Sequence, residues 1–206
     1  MDRLRIGFVD DENINFDDYA TRLKRENIEL LFYEGESTVD SIIDWLITEE
    51  ILCLLVDYDL QKKFTQNGTD LVFAINQLLP DFPCIMVTNY PEQSKNEKIV
   101  SNRLIRDRKE LAASDLSNVT DMIKNEVEVY LKRKASLSEE YARLIGMRSD
   151  GQFTVADEER LMQLHALFSK YGETDDVPSP LLSSETNKKL DRLIDCLTQL
   201  VEKKEE

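Results

Sequence analysis

Two apolar runs in this 206-residue chain end in carboxylates. Leu4-Arg5-Ile6-Gly7-Phe8-Val9 leads into Asp10-Asp11-Glu12, and Cys53-Leu54-Leu55-Val56 leads into Asp57-Tyr58-Asp59. Four consecutive apolar residues mark a strand buried on both faces, as inside a parallel sheet. If the two strands lie side by side, three carboxylates meet at one sheet edge. Two such charges about 5 Å apart repel by about 3 kcal/mol at an effective dielectric near 20. The cluster therefore requires a cation, a proton or a more open arrangement. Mg²⁺ is the natural occupant, because it takes one or two carboxylates and leaves places for water and phosphate oxygens. A phosphoryl group held in line with an Asp57 oxygen also needs donors for its developing charge. Thr88, at the end of Pro83-Cys84-Ile85-Met86-Val87, offers a hydroxyl, and a Lys or Arg after a fifth strand would offer positive charge.

The elements that must position these groups follow from the pattern along the chain. Asn13 or Asn15 has the character of a cap for a helix through about Asn27, with Phe16, Tyr19, Ala20 and Leu23 on its inner face. A strand is expected over 29–33. Ser37-Thr38-Val39-Asp40 has capping-box spacing and opens a helix that buries Ile42, Ile43, Leu46 and Ile47. Trp45 is assigned partial packing. Asn67-Gly68 reads as a turn, Thr69 or Asp70 as the start of a helix, and Pro80 as its end. A helix over about 92–100 and a fifth strand near 103–106 complete the series. Strands alternating with helices predict a doubly wound parallel sheet covered on both faces. Right-handed crossovers place every strand's C-terminal end on one edge, which is where open α/β sheets bind ligands.

From about Ser114 the text turns helical. Leu116, Val119, Ile123, Val127, Tyr130, Leu137, Tyr141 and Leu144 recur in steps of three and four, broken by Lys134, and neither Gly nor Pro intervenes before Gly146. One continuous helix is expected. Thr154-Val155-Ala156-Asp157 repeats the capping-box spacing ahead of a helix through about Tyr171 that ends at Gly172. Ser183 or Ser184 would cap a last helix carrying Leu190, Leu193, Leu197 and Leu200. An amphipathic helix cannot bury its own stripe, so these helices must pack on something. His165 is read as a partly buried packing residue.

The net charge of −15 argues against nucleic acid as a partner. No apolar run approaches the roughly 20 residues of a membrane span, and a cytoplasmic location without membrane contact is expected. Cys53, Cys84 and Cys196 form no CxxC pair, so neither a disulfide framework nor a zinc site is indicated.

Val9-Asp10-Asp11-Glu12, Val56-Asp57 with Gly68 downstream, and Val87-Thr88, in this order, resemble the receiver domain of bacterial two-component response regulators. The resemblance covers about residues 1–130 and leaves 131–206 as a helical C-terminal module. It implies a flavodoxin-like, five-stranded parallel fold followed here by an all-α extension. It further implies phosphoryl transfer from a histidine kinase to Asp57, and Mg²⁺ held by Asp11 and Asp57, with Asp10 nearby and the backbone carbonyl of Asp59 completing the set. Thr88 would be the hydroxyl that moves toward the phosphate. Spacing from Thr88 assigns the phosphate-contacting base to Lys109, with Arg108 as the alternative. The text departs from the family in having no Pro after that base, Leu104 and Ile105 where an aromatic residue is expected, and the bulkier Asn89 and Tyr90 after Thr88. The expected role is that of a signalling protein with no enzymatic activity beyond its own phosphorylation and dephosphorylation. Its output would pass through protein contacts of the helical module, with a homodimer as one possibility. Two other roles are open: a structural adaptor that is never phosphorylated, and a phosphate sink without output.

Overall fold

The computed structural model describes residues 3–60, 62–149 and 153–174. Five parallel strands form one sheet: β1 (Leu4–Val9), β2 (Ile28–Phe32), β3 (Leu54–Val56), β4 (Cys84–Thr88) and β5 (Ile105–Asp107). Their spatial order is β2-β1-β3-β4-β5. This is the flavodoxin-like winding, in which order reverses between β1 and β3 and opens a crevice at their C-terminal ends. The intervening helices are α1 (Phe16–Arg25), α2 (Val39–Thr48), α3 (Gly68–Leu78) and α4 (Pro91–Glu97). After β5 come a short 3₁₀ turn, Arg108–Ala112, and then α5 (Ser117–Ser149) and α6 (Val155–Lys170).

Alternation along each strand sends side chains to opposite faces. Ile6, Phe8, Leu55, Ile85 and Val87 join Tyr19 and Leu23 of α1 and Val119, Ile123 and Val127 of α5 in one buried cluster. Gly7 belongs to the other face, where an added Cβ would lie 2.7 Å from Leu54 and 2.8 Å from the Trp45 ring. The glycine is what lets the indole of α2 lie against the sheet, and Trp45 is half-buried as expected.

Helix boundaries differ from expectation where capping chemistry decides them. Asn15 precedes α1 with a left-handed φ of 66° and no side-chain cap bond. Thr38, not Ser37, caps α2 by accepting from the Ser41 amide. Asn67 is a cap and not merely a turn residue, since its side chain accepts from the Asp70 amide and α3 begins at Gly68. Helix α4 stops at Glu97 because Lys98 adopts a left-handed φ of 57°. The fifth strand is three residues long and begins two residues later than the sequence pattern suggested.

The chain divides into two compact units after Lys134. In the second, α6 starts with the expected capping box, Thr154 accepting from the Asp157 amide while Asp157 accepts from that of Thr154. Leu144 of α5 and Leu161, Leu164 and Phe168 of α6 form its buried cluster, with Leu137 and Tyr141 alongside. Arg160 binds both carboxylate oxygens of Glu140 at 2.9 and 2.7 Å. His165 is buried, and its Nδ1 lies 2.9 Å from the Tyr141 hydroxyl. The expected helix with Leu190–Leu200 falls outside the described residues, as does Cys196. Cys53 and Cys84 are buried, and burial pushes both thiols up, that of Cys84 to about 12, so neither is a nucleophile at neutral pH. Among the described residues no helix is long and apolar enough to cross a membrane.

Candidate phosphoacceptor site

Strand register assembles the site. Val9 pairs with Val56 and Val56 with Met86, so Asp10 and Asp57 emerge from adjacent strand ends. The Asp57 amide donates to the Val9 carbonyl at 3.0 Å, continuing the ladder one residue further. Thr88 pairs with Asp107, which puts Arg108 just beyond the same edge. Carboxylate oxygens of Asp10, Asp11 and Asp57 lie within 4.8 Å of one another. Asp10 and Asp57 are buried, 1% and 6% exposed, whereas Asp11 is half-buried. The loop after β3 reaches back to the cluster: the Lys62 amide donates to Asp11 Oδ2 at 3.3 Å, and the Lys62 ammonium pairs with Glu12.

Arg108 supplies the positive charge. Its Nη2 lies 2.8 Å from Asp10 Oδ2 and 2.9 Å from Asp57 Oδ1, bridging the two buried carboxylates. Arg108, the alternative to Lys109, is thus the cation at the cluster, whereas the side chain of Lys109 is exposed. The reason is a second capping box. Asp107 accepts from the Lys109 amide at 2.9 Å, and Glu110 accepts from the Asp107 amide at 3.3 Å. The 3₁₀ turn therefore starts directly after β5, with Arg108 in its first position at the sheet edge and Lys109 turned outward. Asp107-Arg108-Lys109-Glu110 carries the spacing of that motif, a signal present in the sequence.

The other assigned residues fall out as follows. The side chain of Thr88 is fully buried, and its hydroxyl accepts from the Tyr90 amide at 3.1 Å. Asn89 and Tyr90 are both exposed. Asp59 is exposed and lies outside the carboxylate cluster. Gly68 packs directly on the backbone of Asp57, since a Cβ there would stand 1.9 Å from the Asp57 carbonyl oxygen, and its amide donates to the Tyr58 carbonyl at 2.8 Å. Sequence reasoning passed over a neighbouring network. The Tyr58 hydroxyl donates to Glu97 Oε1 at 2.6 Å, Asn67 Nδ2 donates to the same oxygen at 3.2 Å, and the Thr69 hydroxyl donates to Glu97 Oε2.

Burial dominates the electrostatics. Desolvation raises the Asp10 carboxyl to about 6 against the pull of Arg108, which lowers it. The Asp57 carboxyl is raised for the same first reason, while Arg108 and the Thr88 hydroxyl work against the rise. One guanidinium thus compensates the cluster only in part. The ion pairs are not well-aligned hydrogen bonds, for Asp10 Oδ2, Asp57 Oδ1 and Arg108 Nη2 have no hydrogen-bond partner among the described residues. Buried carboxylate oxygens without donors, in an all-oxygen set with excess negative charge, fit a hard divalent cation.

Among the solved structures to which the chain is similar is the signal receiver domain of an HD domain-containing protein from Pseudomonas fluorescens. Identity is 15%, the TM-score 0.51, and the match covers 66% of this chain and 94% of that one. The chain has the receiver fold. A CheY-like response regulator receiver domain from Methanospirillum hungatei matches at 20% identity and a TM-score of 0.47, over 64% of this chain and 98% of that one. A two-component transcriptional regulator from Clostridium phytofermentans matches at 22% and 0.48, over 64% and 98%. No family model matches the sequence, and no curated protein is similar to it. Identities this low speak to the receiver fold alone.

Proposed function

We propose that the protein is a signalling regulator that accepts a phosphoryl group from a histidine kinase onto Asp57. The observation that carries this reading is the meeting of Asp10, Asp11, Asp57, Thr88 and Arg108 from four separate strand ends at the C-terminal edge of a receiver sheet. In the transfer, an Asp57 carboxylate oxygen bonds to phosphorus as the bond from phosphorus to the donor histidine nitrogen breaks. The nitrogen keeps the electron pair, and an acyl phosphate results. Asp11 and Asp57, with Asp10 nearby and the Asp59 carbonyl as a further oxygen, would hold Mg²⁺, which would supply positive charge to the phosphoryl oxygens. Arg108 adds a fixed cation that cannot lose its proton and presents a planar fork suited to phosphate oxygens. Thr88 contributes a hydroxyl from the neighbouring strand. Output then passes through protein contacts rather than through DNA.

The test is mass spectrometry of the full chain after acetyl phosphate and Mg²⁺, with Asp57→Asn as control. A Mg²⁺-dependent adduct of about 80 Da, absent from the variant, is expected. Failure of both acetyl phosphate and a cognate kinase to label Asp57 would leave the adaptor role. The near-complete burial of Asp57 under Arg108 is the observation that favours that second reading.

A further inference from the structure

Helix α4 is seated on the sheet with almost no apolar anchor. Between Glu92 and Glu97 it carries Gln93, Ser94, Lys95 and Asn96 and not one aliphatic or aromatic side chain. Ser94 is its only buried residue, and its flanks Tyr90 and Ile99 are exposed, 46% and 45%, with Val100 beyond them the nearest buried apolar side chain in the following segment. A surface helix ordinarily docks through an apolar stripe, and this one has none. What it has instead is Glu97, its last residue. That carboxylate receives the Tyr58 hydroxyl, the Asn67 amide and the Thr69 hydroxyl. Tyr58 directly follows Asp57, and its carbonyl takes the Gly68 amide at the start of α3. The loop leaving the acceptor, the first turn of α3 and the end of α4 therefore share one carboxylate.

We propose that Glu97 is a latch that docks α4 onto the loop after Asp57, so that movement of Tyr58 when Asp57 is modified re-seats α4 and alters the surface it offers to a partner protein. The trigger rests on the phosphoacceptor reading, whereas the latch itself does not. Elements held by few buried apolar contacts occupy the low-stability end of a structure and are the ones that move in switching. The Tyr58 phenol, pushed up to about 12 first by its bond to Glu97 and then by burial, stays a donor across the physiological range.

Hydrogen exchange of the full chain, read by mass spectrometry on peptides covering residues 91–98, tests this. Tyr58→Phe keeps the ring and deletes the donor. Loss of one hydrogen bond to a charged acceptor is expected to speed α4 exchange about tenfold or more, with exchange in β1 and β3 unchanged. Glu97→Gln is expected to do at least as much, and the double variant no more than Glu97→Gln alone. An α4 unaffected by Tyr58→Phe, or an additive double variant, overturns the latch. In a second arm the chain is treated with acetyl phosphate and Mg²⁺. Labelled wild type is expected to change its α4 exchange, and labelled Tyr58→Phe is expected not to. A labelled wild type with unchanged α4 refutes the coupling. Absence of label with both acetyl phosphate and a cognate kinase refutes the phosphoacceptor reading instead, while the first arm still decides whether the latch exists.

Discussion

Replacing Asp10 by Asn should stabilise the protein at neutral pH, and by an amount that depends on pH in a defined way. Asp10 is 1% exposed, and burial raises its carboxyl from 3.8 to about 6 even with Arg108 at 2.8 Å. A carboxyl whose folded value lies above its unfolded value binds more protons when folded, so stability falls as pH rises between the two. From 3.8 to about 6, the linkage integral gives a penalty of about 3 kcal/mol at pH 7, roughly half of that at pH 5 and well under 1 kcal/mol at pH 4. Asn approximates the protonated carboxyl and escapes this term while leaving Arg108 paired with Asp57. The variant should therefore exceed wild type by up to about 3 kcal/mol at pH 7, and the gap should close toward pH 4. The assay is urea denaturation at pH 4, 5 and 7 with divalent cations chelated. Added Mg²⁺ should then stabilise wild type more than the variant, because it compensates the same buried charge. A variant less stable than wild type at pH 7, or a gap of equal size at pH 4 and pH 7, would refute the reasoning.

Arg108→Met should remove most acetyl-phosphate labelling of Asp57, while Lys109→Met should label as wild type does; mass spectrometry of the two variants side by side separates them. Gly68→Ala places a methyl 1.9 Å from the Asp57 carbonyl oxygen, and should destabilise by about 3 kcal/mol or more or displace the start of α3. Gly146→Ala, on an exposed part of α5 with nothing within 4 Å of the new atom, should instead stabilise by about 0.5–1 kcal/mol. Urea midpoints of this pair check the contrast directly.

Much of the fold was legible because it depends on local, periodic signals. The apolar runs that became β1, β3 and β4 could only be buried strands, and their order between helical stretches led to a parallel sheet. The carboxylates at their ends were visible for the same reason, since position along a strand decides which sheet edge a residue reaches. The capping box at Thr154 and the long helix through Leu144 were equally local. Tertiary structure decided the rest. Which cation enters the cluster depended on where β5 stops, and a three-residue strand has too little periodicity to reveal that, even though residues 107–110 carry the capping-box spacing. Once Asp107 capped the turn, Arg108 faced the carboxylates and Lys109 faced water. The upward shift at Asp10 is likewise a product of burial from several elements at once, and no stretch of sequence contains it. The Glu97 network joins residues 28 to 39 positions apart. A glutamate at the end of a polar heptapeptide gives no hint of three donors waiting across a loop, because hydrogen bonds between distant segments leave no spacing in the text.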